Sequence, residues 1–212
     1  SDLTNVRYLT GFAGTAGLVL LTRKDAHFFT DFRYETQAAR QVRGARVHLS
    51  KNGLAPAAAT AANRRRLKRV GYESGHVTVH NHKELKSRFR ASLHATQGLV
   101  EGLRIRKDEG EIVALEKAVA LADEACARAA DLLRPGLTEI EVCLELERHM
   151  RLNGAQKASF DIIVASGKRS ALPHGVASHK KLEQGDLVVL DFGCVYEGYC
   201  SDLTRTFCLG EP

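Results

Sequence analysis

Residues 186–207, DLVVLDFGCVYEGYCSDLTRTF, constrain the fold of this chain more than any other stretch. Four consecutive apolar residues, 187–190, run directly into Asp191, and Asp202 sits inside a second strand-like run. Between them VYEGY has the Gly and polar content of a hairpin connection. A hairpin across this segment brings the two carboxylates face to face. Like charges that close repel, and one group protonates unless a cation lies between them. Hard oxygen donors suit one divalent cation or a pair of them. The alternative, two exposed strand aspartates, runs against the depletion of Asp in strands. Asp191 and Asp202 are therefore candidate metal ligands.

Composition excludes several classes. At 212 residues and 44% hydrophobic, the chain can bury one large core or two ordinary ones. No apolar stretch approaches the roughly 20 residues needed to span a bilayer. The opening SDLTNVRYLT lacks the basic then apolar layout of a secretion signal. A cytoplasmic protein without a membrane partner is expected, unless a leader lies outside this sequence. Five cysteines, Cys126, Cys143, Cys194, Cys200 and Cys208, contain no CxxC pair and are odd in number, which argues against a disulfide framework or zinc knuckle. Cys194 and Cys200 flank the hairpin turn and are placed to face each other as thiols. Much of the +6 net charge sits in Arg64, Arg65, Arg66, Lys68 and Arg69. That run follows an Ala-rich helical segment without interleaved aromatics, so it reads as a solvated helix end, and no nucleic-acid partner is expected.

Along the chain, residues 1–104 alternate strand and helix signals: GLVLLT, AHFFTDF, YETQAARQV, RVHLS, then a helix through AAATAANRRRLKRV into VGYES. This is an α/β pattern. GFAGTAG, with Gly11, Gly14 and Gly17, precedes a strand rather than a helix, so its glycines belong to a turn or a substrate edge and not to a phosphate loop. His76, His80 and His82 have no acidic or Cys partner at ligand spacing and read as surface histidines leading into a helix. A strand-like piece and a run of mixed charges, LVEGLRIRKDEGEI, place the domain junction near Arg104.

Residues 105–212 read as α+β. Ile112, Leu115, Val119, Ala122, Cys126 and Leu133 recur three or four apart for the most part, predicting an amphipathic helix over 109–133 ended by Pro135 and Gly136. Thr138 and Glu141 form a capping box for a second helix closed by Asn153 and Gly154. The glutamates of both helices are spaced as solvent-facing positions. FDIIVAS, DLVVLDF and YCSDLTRTF follow as strands of a sheet backed by these helices. Between the first two, SALPHGVAS carries His174 in a loop just upstream of the Asp191 strand, where folding could bring it to the rim of the carboxylate pair.

In order, LRPGLTEIEV, SFDIIVASG, SALPHG, GDLVVLDFG and GYCSDLTRTF resemble the pita-bread metallopeptidases. NVRYLTGFAGTAG and FFTDFRYETQA resemble the N-terminal domain of their proline-specific branch, the Xaa-Pro aminopeptidases and Xaa-Pro dipeptidases (prolidases). The resemblance covers essentially the whole chain. It implies a creatinase/prolidase-type α/β domain over 1–104, then the N-terminal half of a pita-bread catalytic domain over 105–212. It makes Asp191 a ligand of one metal ion, Asp202 a ligand bridging two, and His174 the substrate-side catalytic histidine. The implied cofactors are two divalent ions, manganese first, with cobalt, zinc or iron allowed. They would lower the pKa of a bridging water so that hydroxide attacks the scissile carbonyl.

The implied partner is a peptide with proline at its second position, and the implied assembly a homodimer of the full-length chain. Dipeptidase and aminopeptidase stay open. The family completes its site with a His from an HGxGHG segment and two further Glu, and this sequence has no such segment: His149 and His179 lack the glycines. Two of five ligands are present, so the fragment alone is expected to be inactive, with a sheet edge and apolar face left open to association. The start is likewise expected to lack the strand and helix that open such a domain. A non-catalytic binding protein on this fold and a creatinase-like amidinohydrolase are the competing readings. Two facing carboxylates favour the metalloenzyme over both, because without a cation they destabilise the fold.

Overall fold

A computed structural model describes residues 1–211. The chain divides into two compact units, Ser1–Arg106 and Lys107–Pro212.

In the first unit α1 (Leu3–Thr10) starts on an Asp2 cap that accepts from the Asn5 amide and stops at Gly11, whose φ is 78°. Then come β1 (Leu18–Leu21), β2 (Ala26–Thr30), α2 (Glu35–Gln41), β3 (Arg46–Leu49), α3 (Leu54–Arg64), β4 (Arg69–Glu73), α4 (Val79–Arg88), β5 (Ser92–Thr96) and α5 (Leu99–Arg104). β1 lies antiparallel to β2, β2 parallel to β3, and β4 parallel to β5. Adjacent phenylalanines on β2 point to opposite sides of the pleat. Phe28 packs with Val6, Phe12 and Ala38, and Phe29 with Leu20, Ala58 and Ala62, so one strand carries two cores.

Four details depart from the sequence reading. The helix expected to run through the basic cluster ends at Arg64, where Arg66 turns the chain with φ 53° and β4 begins at Arg69. LVEGLRI, expected as strand-like, supplies helix α5, in keeping with its Leu, Glu and Arg content. Neither α1 nor β5 was expected. GFAGTAG does precede a strand; a methyl group at Gly14 would collide with the Phe12 and Tyr34 rings. His76 and His80 are exposed and His82 rests against Tyr72, ring centroids 4.8 Å apart.

One histidine pair links β2 to β3. The Nδ1 of buried His27 lies 2.8 Å from His48 Nε2, and its Nε2 lies 3.0 Å from Asp25 Oδ2. The Thr22 hydroxyl, the His27 ring and Arg65 hold the Asp25 carboxyl far below the usual carboxylate range. Burial first, then the neighbouring His27 and the positive charge of Arg65 and Arg46, pushes His48 below its ordinary value of 6.5. A base held neutral in the fold stabilises it fully above pH 6.5 and loses that contribution as pH falls through the lowered value. Urea unfolding should therefore show lower stability at pH 5.5 than at pH 7.5 in the native protein, and a smaller difference in His48→Gln. Equal pH dependence in both proteins contradicts this account.

The second unit opens with α6 (Glu109–Leu132) and α7 (Glu139–Leu152), each begun by a capping box, Asp108 with Glu111 and Thr138 with Glu141. β6 (Lys157–Ala158), β7 (Ile163–Ser166), β8 (Leu187–Phe192), β9 (Cys194–Tyr196), β10 (Tyr199–Cys200) and β11 (Leu203–Cys208) follow. They form two three-stranded antiparallel sheets, ordered β11-β8-β7 and β10-β9-β6. The face of α6 against the sheets is an alanine stripe, Ala114, Ala118, Ala122, Ala125 and Ala129 with Leu121 and Cys126. Small side chains let helix and strands approach closely. Ile112 and Val119, expected on the core side, are 45% and 48% exposed. Val142, Leu146 and Met150 of α7 close the core over Val164, Val188, Leu190 and Phe192. Among the described residues no helix is long and apolar enough to cross a membrane.

Candidate metal centre

β8 to β11 is one long hairpin. Leu187 pairs with Cys208, Phe192 with Leu203, Val195 with Cys200 and Tyr196 with Tyr199, a single register down to a two-residue turn. Both turn residues have positive φ, Glu197 at 45° and Gly198 at 79°. That is the primed turn whose twist matches a β-hairpin, so VYEGY does carry the connection. Midway the ladder opens. A methyl group at Gly193 would collide with the Ser201 carbonyl and the Ser159 hydroxyl, while Ser159 donates its amide to Gly193 O (3.1 Å) and its hydroxyl to Ser201 O (2.9 Å). Gly193→Ala should cost about 2 kcal/mol by overpacking, roughly 10 °C in thermal midpoint for a unit of this size. An unchanged midpoint would show that the strand can yield here.

The register fixes where the carboxylates stand. Asp191 is directly opposite Thr204, and Asp202 is two residues before Thr204. Period-two alternation puts both aspartates on one face of the hairpin, as diagonal neighbours about 7–8 Å apart between Cα atoms. Register is carried past the end of β11 by the Ser201 amide, which donates to Cys194 O at 2.9 Å. It is the open face: Val188, Leu190 and Phe192 are fully buried on the other side, whereas Leu187 is 48% exposed, Asp191 partly so, and Asp202 exposed. The Thr204 hydroxyl donates to Asp191 Oδ1 at 3.0 Å. Asp191 Oδ2 has no protein donor among the described residues.

His174 reaches the same face from the other side. Ile163 of β7 pairs with Asp191 on one flank and with Val176 on the other, so Val176 stands two strand spacings, roughly 10 Å, from Asp191. His174, two residues before Val176, is exposed in a turn in which the Gly175 amide donates to Leu172 O at 3.2 Å. Pro173 precedes it, at the turn position its fixed φ favours.

Two residues were misjudged from sequence. Glu139 is fully buried, contrary to the reading of the helix glutamates as solvent-facing. Its Oε1 accepts from the Ser166 amide (2.8 Å) and hydroxyl (2.9 Å), and its Oε2 from the Ser178 amide (3.0 Å) and hydroxyl (2.6 Å). Arg169 Nε lies 3.1 Å from Oε2. The signal was present, since Glu139, Val142, Leu146 and Met150 recur at helical spacing as the buried stripe of α7. Thr204 is a further residue of the site that the sequence does not single out; it lies two residues after Asp202, in β11. Cys194 and Cys200 do not face each other: Cys194 is buried opposite Ser201, and Cys200 is exposed opposite Val195. All five cysteines are free thiols.

As donors the two carboxylates fit a divalent cation, with Thr204 orienting one of them. They do not complete its coordination, because among the described residues no group of three His, Cys, Asp or Glu side chains is placed to hold a metal ion.

Comparison with known proteins shows which families the two parts of the chain match. Metallopeptidase family M24 matches residues 113–212, and the creatinase/prolidase N-terminal domain matches residues 1–106. The uncharacterised peptidase YqhT of Bacillus subtilis is 46% identical over 210 residues, which is 99% of this chain and 60% of that protein. The Xaa-Pro dipeptidase of Pyrococcus horikoshii is 50% identical over 114 residues, 54% of this chain and 32% of that protein. In solved structures, an Xaa-Pro dipeptidase from Bacillus anthracis has a TM-score of 0.96 at 45% identity, and an X-Pro aminopeptidase from Thermotoga maritima 0.93 at 35%. Each likeness covers 100% of this chain and 60% of the other. The chain thus spans about three fifths of the length of YqhT and of these two solved structures.

Proposed function

The chain belongs to metallopeptidase family M24, with a creatinase/prolidase N-terminal domain ahead of the first half of the catalytic domain, and from that premise we propose that the whole protein is a metal-dependent Xaa-Pro peptidase. It cleaves the bond between an N-terminal residue and a proline in second position. The observation that carries this reading is the register of β8 and β11, which sets Asp191 and Asp202 on one open face. The Xaa-Pro dipeptidases and the X-Pro aminopeptidase among its relatives support the proline preference.

Two divalent metal ions, manganese by preference with cobalt, zinc or iron as substitutes, would supply hydroxide near neutral pH and polarise the scissile carbonyl. Asp191, oriented by the Thr204 hydroxyl, and Asp202 would be among the residues that hold these ions. His174 donates a hydrogen bond to the substrate oxygen on which negative charge develops. Two carboxylates are too few for a stable dinuclear centre, so these 212 residues by themselves are expected not to hydrolyse peptides. The free thiols support a cytoplasmic setting. A homodimer of the whole protein is the assembly that the family resemblance implies, and it is part of the proposal. Neither nucleic acid nor membrane enters the proposal.

The test is hydrolysis of an Xaa-Pro dipeptide and an Xaa-Pro-containing tripeptide by the whole protein, followed as release of the N-terminal amino acid. Chelation should abolish cleavage and added manganese restore it. Undiminished cleavage after chelation, or none with any of the four metals, sinks the reading.

A further inference from the structure

We infer that Glu139 is a positioning residue that fixes the loop of residues 167–177 and, through it, His174. The inference rests on the role given to His174 above. The loop leaves β7 at Ser166, makes a 3-10 turn over Gly167–Ala171, passes His174 at the tip of the next turn, and returns through Val176 to Ser178. One buried carboxylate ties both ends. Oε1 takes the Ser166 amide and hydroxyl at the start, and Oε2 takes the Ser178 amide and hydroxyl at the finish. Arg169, inside the loop, lies 3.3 and 3.1 Å from the two oxygens through Nε and donates its Nη2 to Val176 O at 2.7 Å.

Below the clamp, the Ile140 amide donates to Ser178 O at 3.1 Å, and the Glu139 amide to Lys180 O at 3.0 Å. The returning strand therefore lies along the start of α7. The His174 ring makes no side-chain hydrogen bond to the described residues, so only the loop backbone decides where it stands. That backbone is held by the Glu139 clamp and by Gly175, where a methyl group would come within 2.9 Å of Ala165 Cβ. Joining the two ends of a flexible loop is opposed by its closure entropy. A charged acceptor at the neck, making bonds about twice as strong as neutral ones, offsets that cost.

A double-mutant cycle on the whole protein tests the inference, with kcat/KM for an Xaa-Pro dipeptide as readout. His174→Ala should lower it on the order of 100-fold. Glu139→Gln, which puts an amide donor among donors, should lower it on the order of 10- to 100-fold. The double variant should fall no more than about threefold below His174→Ala alone, because both changes remove one group from the site. Hydrogen exchange of the 167–177 amides should quicken in Glu139→Gln. If the two losses multiply, Glu139 acts only on general stability and the inference is overturned. Unchanged kcat/KM in Glu139→Gln overturns it equally, whereas unchanged kcat/KM in His174→Ala overturns the assignment of His174 itself. Should Glu139→Gln fail to fold, Ser178→Ala removes the 2.6 Å hydroxyl bond and leaves the amide bond. The same non-additivity with His174→Ala is expected, and multiplying losses again overturn the inference.

Discussion

Asp202→Ala in the whole protein removes Xaa-Pro cleavage to within background, a loss of about a thousandfold or more. Metal-based charge stabilisation contributes several kcal/mol to such a reaction, and each ~1.4 kcal/mol is a factor of ten. Asp202 is exposed and ends no helix, so its replacement should leave the thermal midpoint within about 2 °C, as for most surface changes. Loss of activity without loss of fold separates a ligand from a structural residue. Asp191→Ala should give the same loss of activity and also release the Thr204 hydroxyl, which donates to its Oδ1. Metal affinity, titrated directly, should fall in both variants. Retained activity in either removes that residue from the site.

Glu139→Ala has the largest expected effect on stability, about 3 kcal/mol. The carboxylate is fully buried, and its removal takes the acceptor from the Ser166 amide and hydroxyl, which are themselves buried. Each such donor costs about 1–3 kcal/mol, and breaking a buried charged pair 3–5. Arg169 is 32% exposed and can turn to solvent, which keeps the estimate at the lower end. Burial pushes the Glu139 carboxyl up, but the hydrogen bonds from Ser178 and Ser166 together outweigh it and hold the group below its ordinary 4.5. An acid with a lowered folded value stabilises fully above pH 4.5 and loses that contribution as pH falls through the lowered value. Urea midpoints of native and variant proteins should therefore differ most above pH 5 and converge in acid. A difference below about 1 kcal/mol at pH 7 would show that water takes over the acceptor role.

How much of this was legible without coordinates varies by the kind of signal. The hairpin was legible because two local signals agree on it: apolar runs of strand length and the Gly-containing polar connection between them. The capping box of α7 was legible for the same reason, Thr138 and Glu141 being three residues apart. The core face of α6 was legible only in part, with Ala122 and Cys126 buried as expected and Leu133 packed against the core. A hydrophobicity pattern favours Ile112 and Val119, whereas the sheet takes the alanines, which allow closer approach. Glu139 was misread because a charge at helical spacing normally means solvent, and its four serine donors lie 27 and 39 residues away in sequence. The distance of His174 from the aspartates depends on Ile163 bridging two neighbours, a tertiary fact with no local signature.

Because Asp191 and Asp202 hang from one hairpin, the number of residues between them is part of the site. Inserting or deleting one residue between them while a two-residue turn is kept shifts the pairing by one and sends one aspartate to the face packed against the helices. A change of two residues restores the face but slides one carboxylate by about 7 Å along the partner strand. The turn is far from any chemistry and exposed at Glu197, yet its length is as constrained as the identity of the aspartates. The site tolerates changes of side chain at Glu197 better than changes of count.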